Sequence, residues 1–375
     1  AGVIALLVAM GVTGLSDTAK AQLKPSTDPH IHAYVRSSST MTGSLTIVGS
    51  DTMKPLTRHW ERKLKEFYPH VDIRIQGSGS EQGPPALLEK TAQIIAVSRP
   101  LTPAEILEFK KRHGYEPTEV PVATDALAIF VHRDNPITGL TFKELEAMFC
   151  KERRRQAAHP ITKWGQLGLD GEWSQADIWL HGRTSNSGTA AFFREKVCLN
   201  GEFSPRVVEE PGSASIVVEV MRDRFAIGYS GIGYQTSTVR PVPLAERDGD
   251  AFVEATFQTA INGTYPLRRL LYLYVDKSPE KELAPIVAEF VKFATSHEGQ
   301  EVVVKEGFFP LPTDVLNRLS AVWSQSMQAA EAAGCEKLIT FEFSHFMSPR
   351  STHRGAEALL NRERYRRLDA FQGFD

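Results

Sequence analysis

No apolar run in these 375 residues reaches the roughly 18 needed to cross a membrane as a helix. Cysteine is scarce, with three residues, and no Cys-x-x-Cys pair or His/Cys cluster offers the spacing of a zinc site. Charge of one sign is also missing. Forty-three Lys and Arg against 45 Asp and Glu leave a net charge of −2, which gives no general field for nucleic acid or an acidic membrane surface. No Gly-x-Ser-x-Gly elbow marks a serine hydrolase, and no internal repeat marks a solenoid. If an anion binds this chain, a local site must hold it.

What is present is a soluble composition, 42% hydrophobic and 23% charged, with length enough for two ordinary domains. The apolar stretch Val3 to Leu15 followed by Ala19-Lys20-Ala21 reads as a secretory signal peptide over residues 1–21, truncated at its start and cleaved after Ala21. Residues 22–42 read as a linker, including the faintly metal-like Asp28-Pro29-His30-Ile31-His32. Export permits disulfides. Cys150 and Cys198 fall in one predicted lobe, which leaves two readings open: a bond between them with Cys335 left over, or buried free thiols.

Strands and helices then alternate. Leu45–Val48, Val71–Ile75 and Ile94–Val97 read as strands, and each runs into a polar turn. The turns carry Ser50, Asp51 and Thr52, then Ser78 and Ser80, then Ser98 and Arg99. Thr102-x-x-Glu105 and Thr141-x-x-Glu144 are capping boxes that open helices. Val120 to Val131 is extended, Asp177 to His181 is a further strand, and a long helix is expected from about Ser278 to Ser296. The stretch Gly182-Arg183-Thr184-Ser185-Asn186-Ser187-Gly188-Thr189 is the most informative. It joins a strand to a helix start, where unpaired N–H groups and the helix dipole favour an anion, and Arg183 adds a planar cationic fork suited to an oxyanion. Ser, Thr and Asp are also ordinary helix caps, so each turn alone is weak evidence and the four together are stronger.

This order predicts an α/β, two-lobed fold with a ligand cleft between the lobes. The first lobe would take residues 43–125 and 236–319, the inserted lobe 126–235, and a C-terminal extension 320–375. Val48-Gly49-Ser50-Asp51-Thr52, Gln76 to Ser80, Ser98-Arg99-Pro100-Leu101, Arg183 with Ser187-Gly188-Thr189, Ile227 to Tyr234 and Tyr265-Pro266-Leu267-x-Arg269 together resemble the periplasmic phosphate-binding proteins of bacterial ABC importers. The likeness runs from about Leu45 to Leu316. It implies a type II binding-protein fold, no catalysis, and two partners: inorganic phosphate and an inner-membrane ABC permease. The signal peptide adds the periplasm as the expected location, and a monomer with no cofactor is expected. The likeness implies phosphate ligands among Ser50, Asp51, Thr52, Ser80, Ser98, Arg99, Arg183, Ser187, Gly188 and Thr189.

One departure stands out. The best-known members carry an aspartate at Arg99, where it accepts the proton of hydrogen phosphate and so helps exclude sulfate. Arg99 therefore puts selectivity among tetrahedral oxyanions, sulfate and molybdate included, in question. Asp51, standing where those members have a hydroxyl, either supplies the missing acceptor or only caps the first helix. A phosphate-ester hydrolase with Ser187 as nucleophile is the enzyme alternative; His181 is the histidine near it in sequence.

Overall fold

A computed structural model describes residues 26–37 and 40–319; the expected signal peptide and the 320–375 extension lie outside the described residues. β1 (Gly43–Gly49), β2 (Val71–Gln76) and β3 (Ile94–Val97) pair in parallel in the order β2–β1–β3. Parallel neighbours need a crossover, and α1 (Lys54–Phe67) and α2 (Gly83–Leu88) provide the two. α3 (Pro103–His113) opens on the expected capping box, with Thr102 accepting from the Glu105 N–H, and ends at Gly114 in the left-handed conformation.

β4 (Thr118–His132) organises the rest. It is buried without a break from Val120 to Val131, which explains its continuous apolar sequence. Its first part pairs antiparallel with β11 (Arg268–Val275), and its second part with β8 (Ala226–Gly231). β5 (Leu140–Thr141) and α4 (Phe142–Phe149) follow β4, α4 opening on the second expected capping box. β6 (Trp179–Arg183), α5 (Gly188–Lys196), β7 (Val207–Glu210) and α6 (Ser213–Arg222) follow, with β6 pairing in parallel with β8 on one side and with β7 on the other. The full order is β2–β1–β3–β11–β4–β8–β6–β7. β9 (Val239–Pro241) also pairs with β4, and β10 (Leu244–Ala245) pairs with β5 in a separate ribbon. α7 (Phe257–Ile261), α8 (Pro285–Thr295) and α9 (His297–Lys305) follow along the chain. Among the described residues, no helix is long and apolar enough to cross a membrane.

Two apolar cores flank the middle of β4. Ile47, Trp60, Val122, Leu271 and Phe290 belong to one, and Leu127, Phe149, Phe193, Ile227 and Tyr265 to the other. The packing changes partner later than the expected boundary at residue 235. Val239, Val242, Leu244, Ala260 and Leu267 all join the second core, because β9 and β10 hydrogen-bond there. We therefore place the return to the first lobe at Leu267/Arg268, where β11 begins. The helix expected from Ser278 starts only at Pro285. Proline lacks an N–H and suits the first helical turn, and it holds Ala284 extended.

The expected linker is also not slack where it is described. Ile31 packs on Leu311, Leu316 and Leu319. The Tyr34 ring sits 5.1 Å from both Phe67 and Phe293, and its hydroxyl donates to Glu289 Oε1 at 2.5 Å. Ser37 donates to the other oxygen of the same buried carboxylate. Composition alone does not reveal this, because the anchoring partners are distant in sequence. Tyr34→Ala removes the ring packing and one donor to Glu289, so it should cost about 2–4 kcal/mol in urea unfolding.

Cys150 and Cys198 form a disulfide with Cα atoms 5.7 Å apart, which settles the pairing left open above. It ties the end of α4 to the chain just after α5 across 48 residues. Replacing both cysteines with alanine should lower stability by about 3–4 kcal/mol, most visibly as a lower thermal midpoint under non-reducing conditions.

Candidate functional site

The four polar turns meet at one edge of the sheet, where β1, β2, β3 and β6 end. Three helices begin there, and each leaves its first N–H groups without intrahelical partners. Ser187 caps α5, its Oγ accepting from the N–H groups of Thr189 and Ala190. Thr52, just ahead of α1, has its hydroxyl 2.9 Å from that of Thr189 and 3.3 Å from that of Ser213 at the start of α6. The hydroxyls of Ser80 and Ser98 lie 3.2 Å apart, with Gly188 packed directly on both. Ser50, Thr52, Ser80, Ser98, Ser187, Thr189 and Ser213 are all buried. So many buried hydroxyls in contact with one another, rather than with apolar walls, mark this as the polar centre of the molecule.

Arg183 supplies its charge. Only 2% exposed, it donates from Nη1 to Ser213 Oγ at 2.7 Å and from Nη2 to the Pro211 carbonyl and, at 3.4 Å, to Asp51 Oδ2. Burial pulls its pKa down, and Asp51 works against that pull. The Tyr229 hydroxyl accepts the Arg183 N–H and fixes the backbone beneath. Asp51 does not cap α1, whose first residues receive no side-chain cap. Instead its Oδ2 reaches across to Arg183 and accepts the Ser213 N–H at 2.8 Å, at the positive end of α6.

The turns from the two lobes touch. The Glu81 N–H donates to the Asn186 carbonyl, and Asn186 Nδ2 to Ser78 Oγ. Tyr234 donates to the backbone carbonyls of Asp51 and Thr52.

Of the ten residues expected to line the site, nine are brought together here; Arg99 is not a usable ligand. Its five N–H donors make five bonds, two to Glu81, two to Glu105 and one to the Pro100 carbonyl. Burial opposes its charge, and the Glu105 and Glu81 bonds more than reverse this, holding its pKa above the usual value. No donor remains for an anion, so Arg99 cannot govern oxyanion choice as expected. Arg99→Ala should lower stability by leaving two carboxylates unmatched, yet change the ratio of phosphate to sulfate affinity by less than about twofold in calorimetry. Ser187 and His181, the two residues of the enzyme alternative, each have other partners. The Ser187 oxygen caps a helix, and the ring of His181 pairs with Glu210 at 3.1 Å.

Sequence reasoning missed three participants. Ser213 sits in a fifth serine-bearing turn of the same kind, which was readable as such. Asp125 and Arg269 form a buried ion pair at 2.8 Å between β4 and β11. The available signal was Asp125 within the buried run of β4 and Arg269 at the end of the Tyr265-Pro266-Leu267 run.

A cavity of about 820 Å³ lined in part by Asn135, Arg240, Phe257 and Phe309 belongs to the second lobe and contains none of these residues.

Comparison with known proteins agrees with this geometry. A model of the PBP superfamily domain matches residues 35–298. The phosphate-binding protein PstS of Pseudomonas aeruginosa is 47% identical over 291 residues, covering 78% of this chain and 90% of that protein. A Clostridium perfringens protein solved with bound phosphate aligns with a TM-score of 0.60 at 28% identity, over 72% of this chain and all of that one. An ABC-type phosphate transport receptor from Vibrio cholerae shares the fold, with a TM-score of 0.55, 24% identity and coverage of 72% and 100%.

Proposed function

The chain belongs to the PBP superfamily, and on that premise we propose that it captures inorganic phosphate between its lobes and hands it to an ABC permease outside the cytoplasmic membrane. The observation that carries this reading is the buried Arg183 set among hydroxyls from both lobes and three helix N-termini. A tetrahedral dianion loses its hydration in such a site and regains it as hydrogen bonds. Bonds to a charged group contribute about 1.5–3 kcal/mol each, so several together offset desolvation. Donors on two lobes bind well only when the lobes are together, so the ligand favours the closed form, which is the form a permease would read.

The ligands would be Ser50, Thr52, Ser80, Ser98, Ser187, Gly188 and Thr189 through hydroxyl or backbone N–H groups, and Arg183 through its guanidinium. Asp51 would hold Arg183 in place. The protein would act as a monomer without a cofactor and without catalysis; the Ser187 alternative lacks its base, since the His181 ring pairs with Glu210.

Isothermal titration of protein freed of phosphate, with phosphate, arsenate, sulfate and molybdate in turn, tests the reading. Phosphate and arsenate should bind at least about 100-fold more tightly than sulfate. Absence of phosphate binding, or preference for sulfate or molybdate, would defeat it.

A further inference from the structure

The cavity of about 820 Å³ in the second lobe stands apart from the polar centre. It lies where the two cores divide: Phe309, in its wall, belongs to the second core, and Phe308 beside it belongs to the first. Ile232, Phe257 and Phe309 give it apolar walls. Three polar side chains in the same lining are incompletely matched. Asn135 is 2% exposed. Its Oδ1 accepts the Ile137 N–H, which fixes the amide, and its buried Nδ2 donor has no hydrogen-bond partner. Native interiors rarely leave such a donor open. Arg240 donates from Nε and Nη2 to the carbonyls of Asn135 and Ile137, which holds the guanidinium plane and leaves Nη1 over. Burial pulls the Arg240 pKa down, and no neighbouring acid opposes that pull. Glu254 shares the lining, yet among the described residues it pairs neither with Arg240 nor with any other cation.

We propose that this cavity is a second binding site, for a small zwitterion with an apolar side chain: a free apolar amino acid or a short apolar peptide. Its carboxylate would lie on Arg240 Nη1 and Asn135 Nδ2, its ammonium on Glu254, and its side chain against Phe257 and Phe309. Ligand pockets combine apolar walls with a few polar groups that fix orientation, and here those groups carry both signs of charge. An inorganic anion would use Arg240 and Asn135 but would face the Glu254 carboxylate and leave the apolar walls uncovered. No residue of the polar centre lines this cavity, so the proposal is independent of the phosphate reading.

Isothermal titration of the full chain, with and without saturating phosphate, tests it. The probes are L-leucine, leucyl-leucine, N-acetyl-leucine and leucinamide. At least one of the two zwitterions should bind, and the tighter one tells a free amino acid from a peptide as the source. N-acetyl-leucine lacks the ammonium and leucinamide the carboxylate, so each should bind at least about 10-fold more weakly than leucine. Asn135→Asp keeps the acceptor for the Ile137 N–H but puts a negative oxygen in place of the open donor, and it should weaken leucine at least about 10-fold. Should that variant not fold, Glu254→Gln at an exposed position carries the test. It should weaken leucine by a similar factor and leave N-acetyl-leucine no weaker.

No binding of either zwitterion at millimolar concentration overturns the proposal, and is what a cavity holding solvent alone would show. So does leucinamide or N-acetyl-leucine binding as well as leucine, or leucine affinity unchanged in Glu254→Gln. Loss of the zwitterion on saturation with phosphate would put it in the cleft between the lobes and overturns the proposal as well.

Discussion

Gly79→Ala is expected to abolish tight anion capture while leaving the first lobe folded. Gly79 has an extended backbone, φ −178° and ψ 158°, which alanine adopts without strain. The difficulty is on the other side of the cleft. A Cβ at Gly79 would lie 2.1 Å from the Asn186 carbonyl oxygen, a backbone atom that no side-chain rotation can move away. The lobes would have to part by an ångström or so, and the neighbouring Glu81–Asn186 bond would break. Where converging groups define a site, a misplacement of about 1 Å can cost on the order of 100-fold. Calorimetry should show at least that loss for phosphate, with the thermal midpoint of the ligand-free protein nearly unchanged. Small-angle scattering should show less compaction on adding phosphate than in the wild type. An affinity within threefold of wild type would mean that the two turns need not touch for capture.

Arg183→Ala should produce the largest loss of all. The guanidinium is the one buried cation bonded to both Ser213 and Asp51, and its removal takes away the charge match for a dianion and leaves the Asp51 carboxylate facing the ligand. Breaking a buried, hydrogen-bonded charge pair costs about 3–5 kcal/mol, which corresponds to roughly 100- to 1,000-fold or more in phosphate affinity. Arg183→Lys should rescue little. A lysine ammonium cannot reach Ser213, the Pro211 carbonyl and Asp51 with one planar fork. The double variant Asp51→Asn/Arg183→Ala should bind phosphate better than Arg183→Ala alone, since it removes the exposed repulsion. A double variant no better than the single would place Asp51 away from the ligand.

Much of the fold was legible because its signals are local. The capping boxes at Thr102 and Thr141 and the alternating strand–turn–helix pattern depend on residues within a few positions of one another, and the structure keeps them. The four polar turns were legible for the same reason. What was hidden depends on distant partners. Arg99 sits in a site-like turn, but only the fold brings Glu81 beside it, and two carboxylates then consume it. Residues 26–37 look like spacer until Phe67, Glu289 and Phe293 are placed beneath them. The lobe boundary moved from 235 to 267 because three-residue and two-residue strands, too short to show a period, decide which core the intervening chain joins. Arg269 was visible as the end of the Tyr265-Pro266-Leu267 run, but only the strand register shows that it faces Asp125.

The strand that runs through both halves has a thermodynamic consequence. β4 carries its ladder from β11 to β8 with no intervening loop, and the chain returns through Leu267 directly into β11. Thr124 adds a reciprocal backbone bridge to Phe309 at the same level. A joint made of paired strands bends and twists elastically, and it holds no slack segment that must freeze when a guest arrives. Ordering even a short lid would cost about 1–2 kcal/mol per residue in backbone entropy, and this joint spares most of that cost. Capture should therefore carry a heat-capacity change far smaller than that of coupled folding and binding, and amide exchange at Leu127 to Val131 should be slow with or without phosphate.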